Sequence, residues 1–263
     1  MMLLKADNIF ARRGSRPVLQ GVSLEADAGE VVGLIGPNGA SKSTFCSVLA
    51  GLLSPDAGMV TLAGRSLAEL PSRERARLLA FLPQAPDCHW PLVVEQVVAL
   101  GRLPHRHPWS AAGAADRQAV AEAMERLEVT DLAGRFFTQL SGGEKMRVLL
   151  ARVIAGQPRV LLADEPVDGL DPAHQLEVMG LLRERAAAGC AVVVVLHDLA
   201  LAGRCCDRLV LLDQGRVLAA GPAAAVLTDE NCARAYGIEA VRFEHAGASV
   251  LVPWRRLSRE EQR

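Results

Sequence analysis

Val31-Val32-Gly33-Leu34-Ile35 runs straight into Gly36-Pro37-Asn38-Gly39-Ala40-Ser41-Lys42-Ser43-Thr44, and a helix-forming stretch follows. Apolar strand, glycine-rich turn, then a Lys-Ser/Thr helix start is the order in which a backbone is shaped to hold nucleotide phosphates. The glycines let successive N–H groups curl into an anion-binding concavity. Lys42 supplies a point charge for β- and γ-phosphates, and the Ser43 hydroxyl can ligate magnesium. One position departs from the G-x-x-x-x-G-K-[ST] spacing: Ser41 stands where glycine is called for.

A second run carries matching chemistry. Val160-Leu161-Leu162-Ala163 is an apolar strand that ends in Asp164-Glu165. The carboxyl end of a parallel strand is where ligands of α/β sheets bind, and two acids there suit a cation or a reacting centre. Beside phosphates, Asp164 would hold magnesium and Glu165 would polarise the attacking water. A third run, Leu140-Ser141-Gly142-Gly143-Glu144, has capping-box spacing ahead of a helix expected over Lys145 to Ala155. Two glycines in a first turn cost stability relative to alanine. They do let an anion approach bare backbone N–H groups at the positive end of a helix. Capping and a second anion site are both open on the residues alone.

Bulk properties narrow the setting. The chain has 263 residues, half of them hydrophobic and only 4% aromatic, so its core must be built from Leu, Val and Ala. That composition suits helices packed on a buried parallel sheet. With 29 basic and 30 acidic residues there is no global field to attract nucleic acid or anionic lipid. The apolar run Cys190 to Leu196 is too short to span a bilayer, and the opening residues resemble no signal peptide. The six cysteines show no C-x-x-C spacing and read as reduced thiols in a cytosol.

Along the chain, short strands and turns are expected over 3–32, a helix over Ser43 to Leu53, and a strand over Val60 to Leu62. A helix over Arg73 to Leu79 leads into a strand at Ala80 to Leu82. Residues 86 to about 140 read as a helical insert with helices over Val93–Gly101 and Ala114–Leu127. Strands at Val160–Ala163, Ala191–Leu196 and Leu209–Asp213, with a helix over Leu176–Ala188, complete a mostly parallel α/β sheet. Residues 239–252 read as a terminal hairpin. Cys88, His89, His105 and His107 cluster in the insert, and their proline-rich helical setting favours surface or packing roles over a metal site.

GPNGASKST, Gln84, LSGGE, VLLADEP, VDGLD and His197 occur in this order, and the set resembles the nucleotide-binding subunits of ABC transporters over nearly the whole chain. The resemblance implies an ATPase with a RecA-like P-loop NTPase core, an N-terminal antiparallel β subdomain and an inserted helical subdomain. It implies one ABC ATPase domain over 1–263, with 1–85 and 156–263 as core and β subdomain and 86–155 as the insert that includes the signature helix. It further implies ATP and Mg2+ as ligands, with Gly36 to Thr44 on the phosphates. Ser43, Gln84 and Asp164 would attend the metal, and Glu165, His197 and Gln84 the catalytic step. In the family arrangement two subunits pair head to tail. Ser141, Gly142, Gly143 and Glu144 would then contact the ATP of the opposite copy, and Asp168 to Asp171 would join the two sites. The implied partners are a second copy of the chain, two membrane-spanning permease subunits and, indirectly, a substrate-binding protein. The implied place is peripheral, on the cytoplasmic face of the inner (plasma) membrane.

Two positions depart from the family pattern. Arg13 stands where an aromatic ring usually stacks on adenine; its guanidinium plane can stack on a purine. Phe10 is the less favoured substitute. Ser41 brings a side chain where backbone passes close to phosphate. Val98 to His105 and Asp171 to Leu176 resemble the subgroup serving iron-chelate, haem and cobalamin importers. The alternatives are a nucleotide-responsive module slowed by Ser41, the ATPase of a transporter for other substrates, and a soluble ABC ATPase without a membrane partner.

Overall fold

The structure, a computed structural model, describes residues 1–84, 91–107, 110–245 and 248–258. Two long strands, β1 (Met2–Arg13) and β2 (Arg16–Asp27), pair antiparallel across a tight turn at Gly14 and Ser15. With β4 (Ala57–Leu62) and β5 (Arg65–Ser66) they form a sheet ordered β2-β1-β4-β5. The short strands expected over 3–32 are therefore one long ribbon. Register shifts near Asn8, whose φ is 53°, interrupt the apolar alternation that a sequence reading relies on.

The second sheet is ordered β10-β9-β3-β8-β7-β6. Its members are β3 (Val31–Ile35), β6 (Leu79–Leu82), β7 (Val160–Asp164), β8 (Ala191–Val195), β9 (Arg208–Asp213) and β10 (Arg216–Gly221). All pairings from β9 to β6 are parallel, and β10 closes the edge antiparallel to β9. Every residue of β3, β7 and β8 is buried, which is why these strands read as continuous apolar runs. On one side the sheet packs against α1 (Lys42–Leu49) and the antiparallel sheet, through residues such as Phe45, Leu34 and Leu62. On the other it packs against α5 (Gly142–Ala155), α6 (Pro172–Ala187) and α7 (Leu199–Cys205).

Helix α2 (Ser72–Leu78) precedes β6. The described residues between β6 and β7 hold α3 (Val94–Ala99), a 3-10 turn over Leu100–His105, α4 (Ala114–Arg126) and α5. Helices α8 (Ala223–Val226) and α9 (Asp229–Tyr236) lead to a hairpin of β11 (Ile238–His245) and β12 (Ala248–Arg256). Helix ends shift from expectation for local reasons. Helix α1 stops at Leu49 because Gly51 turns the chain at φ 67° and the Leu52 and Leu53 N–H groups fold back on the Ser47 carbonyl. Helix α6 starts ahead of Leu176, with Asp171 as its cap and Pro172 in its first turn.

Candidate functional site

Strand β3 delivers the chain to Gly36, where φ is 150° and a Cβ would lie 2.2 Å from the Leu212 carbonyl oxygen. Only glycine fits that passage. The chain then turns over Pro37 to Ala40, with the Ala40 N–H donating to Pro37 O at 3.2 Å, and enters α1 at Lys42. Ser41 takes a left-handed conformation at φ 75° and makes no side-chain cap, so the loop holds a glycine-like shape with a serine in it. Lys42 is buried, and its Nζ donates to Gly36 O at 2.8 Å and Pro37 O at 3.2 Å. Burial lowers its pKa, while Glu165 and Asp164 pull in the opposite direction.

Strand β7 brings Asp164 to the same end of the sheet, beside the Ser43 hydroxyl, which lowers its pKa. Asp164 Oδ1 is buried without a hydrogen-bond partner, and burial raises the carboxyl above its usual range. An unsatisfied buried carboxylate oxygen beside a hydroxyl and an ammonium is a donor set that suits a hard divalent cation next to phosphate. Glu165 follows at φ 54°. Its carboxylate accepts from Gln84 Nε2 and, at 2.5 Å, from His197 Nε2. Burial raises the Glu165 pKa, His197 lowers it, and the Asp168 carboxyl, hydrogen-bonded to it, raises it again. Gln84, set beside the expected metal ligands by resemblance, meets Glu165 itself. Glu165, Asp168 and His197 place one oxygen or nitrogen each within 4.8 Å of the others.

The Ser141 end is built differently. Ser141 Oγ accepts from the Glu144 N–H at 3.3 Å, and the Ser141 N–H donates to the Glu144 carboxylate at 2.7 Å. This reciprocal capping box starts α5 at Gly142, ahead of the Lys145 expected from sequence. Ser141 and Gly142 are exposed, and no neighbour lies within 4 Å of a Cβ built on Gly142. Arg13 ends β1 exposed and pairs in register with Arg16. Of the suspected metal cluster, Cys88 and His89 lie outside the described residues, and His105 Nε2 is engaged with Gly156 O at 2.9 Å.

One neighbour of the loop escaped the sequence reading. Tyr236, the chain's single tyrosine, ends α9 with a buried hydroxyl that has no hydrogen bond of normal geometry, and the Gly36 main chain faces it. Burial pushes its pKa up, so the phenol stays neutral. A lone tyrosine two hundred residues downstream of the loop carries no local signal; only the fold brings the two together.

A buried parallel sheet, a phosphate-type loop at the carboxyl end of one strand and an acid pair at the same end of the next strand but one define a P-loop nucleotide hydrolase. Residues 19–168 match the ABC transporter family. The chain belongs to that family and is an ATP-binding ATPase subunit. It is 46% identical to the hemin import ATP-binding protein HmuV of Rhodococcus jostii, over 96% of this chain and 86% of that one. The protein of the same name from Pseudomonas aeruginosa is 44% identical, over 92% and 96%. Among solved structures, a metal-chelate type ABC transporter in an inward-facing conformation superposes with a TM-score of 0.84 at 25% identity, over 97% of this chain and 98% of that one. An ATP binding subunit of an ABC transporter matches at 0.75 and 30%, over 84% and 90%. These likenesses establish the RecA-like P-loop core expected above. Among the described residues no helix is long and apolar enough to cross a membrane.

Proposed function

We propose that the chain hydrolyses MgATP to drive import of a haem-type iron chelate, working as one of two copies beneath two membrane-spanning subunits. The observation that carries the hydrolytic part is the meeting of Lys42, Ser43, Asp164 and Glu165 at one end of the sheet. The substrate class rests on the names of the relatives at 46% and 44% identity. The subunit would sit peripherally on the cytoplasmic face of the membrane, with a substrate-binding protein serving the far side. Residues 1–85 and 156–263 act as core and β subdomain in this reading, and 86–155 as the helical insert.

The tasks then divide among the residues. Backbone N–H groups from Gly36 to Thr44 and the Lys42 ammonium grip the β- and γ-phosphates. Ser43 and Asp164 would hold Mg2+, which supplies neutralisation of phosphate charge when bound, and Gln84 would sense it and the coupling partner. Glu165 takes a proton from the attacking water, a role suited to a carboxylate whose pKa is raised by burial. His197 and Gln84 hold Glu165 in place from two sides. Ser141, Gly142, Gly143 and Glu144 present a bare helix start to the ATP of the second copy, with Asp168 in the connecting loop and Arg13 against the base.

The test is reconstitution with the membrane subunits encoded beside this chain, followed by ATP-dependent uptake of haem into vesicles. Uptake that needs ATP and stops with Lys42→Ala is the expected result. ATP hydrolysis without haem uptake, but with uptake of another substrate, would replace the substrate class and leave the ATPase reading in place.

A further inference from the structure

Helix α5, capped by Ser141, spans 14 residues, so about 21 Å separates its two ends. Its last carbonyls have no partners inside the helix. Arg102, on the 3-10 turn, is 7% exposed and donates from Nη1 to Ala155 O at 2.9 Å and to Gln157 Oε1 at 3.1 Å. Its Nε donates to Asp116 Oδ1 on α4 at 3.0 Å. His105, on the same turn, bonds Gly156 O. Burial lowers the His105 pKa, so the neutral ring donates its Nε2–H there. Gly101 lets the backbones touch: a Cβ there would lie 2.0 Å from Arg152 O.

The other side of the turn is fixed as well. Pro104 O accepts from Arg73 Nε at 2.9 Å and from Arg77 Nε at 2.7 Å. Both arginines sit on α2, which runs directly into β6 and so to Gln84. The turn thus ties the strand that leads to Gln84 to the far end of the helix that Ser141 caps. A guanidinium with three bonds, to two helices and the loop between α5 and β7, fixes an orientation that a single-point cation cannot.

We propose that Arg102 is a positioning residue for ATP hydrolysis, one that locks the C-terminus of α5 and thereby sets where Ser141 to Gly143 stand against the nucleotide of the opposite copy. This rests on the head-to-tail reading above. Its effect must then appear in the partner's site and not in the phosphate loop of its own chain.

The experiment uses full-length chains in mixed pairs, reading phosphate release. Arg102→Lys alone should lower kcat about tenfold, as loss of charge-assisted bonds at one locked point. KM for ATP should stay within about twofold, and the melting temperature should show the fold is kept. Asp116→Asn is the second variant and should act in the same direction, more weakly. Mixed with Lys42→Ala, Arg102→Lys should recover activity to the level of a Lys42→Ala and Ser141→Arg mixture. Mixed with Ser141→Arg, it should recover nothing. The reverse pattern overturns the proposal, because the damage then lies in the chain's own phosphate loop. Recovery with neither, while the Lys42→Ala and Ser141→Arg control works, overturns it also. A control mixture that fails to recover condemns the head-to-tail reading itself, and the proposal falls with it.

Discussion

The loop at Lys42 and the helix start at Ser141 both present backbone N–H groups at the head of a helix, yet they are built on different principles. Around Lys42 the chain's own core closes in: buried acids at the end of β7, a carbonyl wall from β9, a phenol from α9. Around Ser141 the capping bonds close on the motif's own first turn, Arg135 reaches the Glu144 carboxylate from the preceding loop, and the Gly142 side is open. The contrast teaches that exposure of a glycine-rich helix start carries meaning only against its surroundings. A start already wired to the sheet can bind alone. One left open on its outer side needs a second body to complete a site.

The sharpest way to break this comparison is Lys42→Ala. Removing a charge aimed at the phosphates costs several kcal/mol, so phosphate release should drop at least a hundredfold while circular dichroism stays unchanged. Near-normal turnover would make the Lys42 end as dispensable as an ordinary loop. Glu165→Gln comes next: hydrolysis should fall by about two orders of magnitude, and the trapped ATP should drive a shift to dimer in size exclusion. A monomeric profile with MgATP would leave the Ser141 end without its second body. Because burial raises Glu165, the acid limb of the kcat–pH profile should lie above the ordinary carboxylate range. As pH falls through the folded pKa, the base is lost and activity with it. A limb at the usual Glu value would show that burial is relieved when the site closes.

How much of this was legible differs between the two ends for physical reasons. The Lys42 loop and the acids at 164 and 165 are consecutive residues whose chemistry is local, so their spacing carried the reading. The Ser141 capping box was equally local, but its helix began earlier than expected because the reciprocal bonds tolerate glycine in the first turn. The ribbon of β1 and β2 was misjudged because bulges break its alternation. The grip of Arg102 on Ala155 spans 53 positions in sequence and had no local pattern to betray it. Family resemblance gave Gln84 to the metal and to the catalytic step; its bond to Glu165, 81 positions away, had no local pattern.

Smaller effects sharpen the picture. Ser41→Gly should relieve about 1 kcal/mol of left-handed strain, seen as tighter ATP binding, faster turnover or a raised melting temperature. An unchanged or worse variant would show that the hydroxyl is useful to the loop. Tyr236→Phe removes only a phenolic oxygen facing Gly36. It should raise KM for ATP by no more than a few-fold and leave kcat nearly alone; an altered kcat would tie the C-terminal segment to the chemical step.

The capping box at Ser141 has one more consequence. A hydroxyl has two lone pairs and a single proton. Its oxygen already receives the Glu144 N–H, and swinging the proton from the Glu144 carboxylate to an incoming anion would leave that bond in place. Holding the helix and greeting an anion are therefore opposite faces of one atom. Alanine would forfeit both at once, whereas threonine retains the same hydroxyl chemistry, so the pair of substitutions reads out whether that oxygen is what the second body comes to meet.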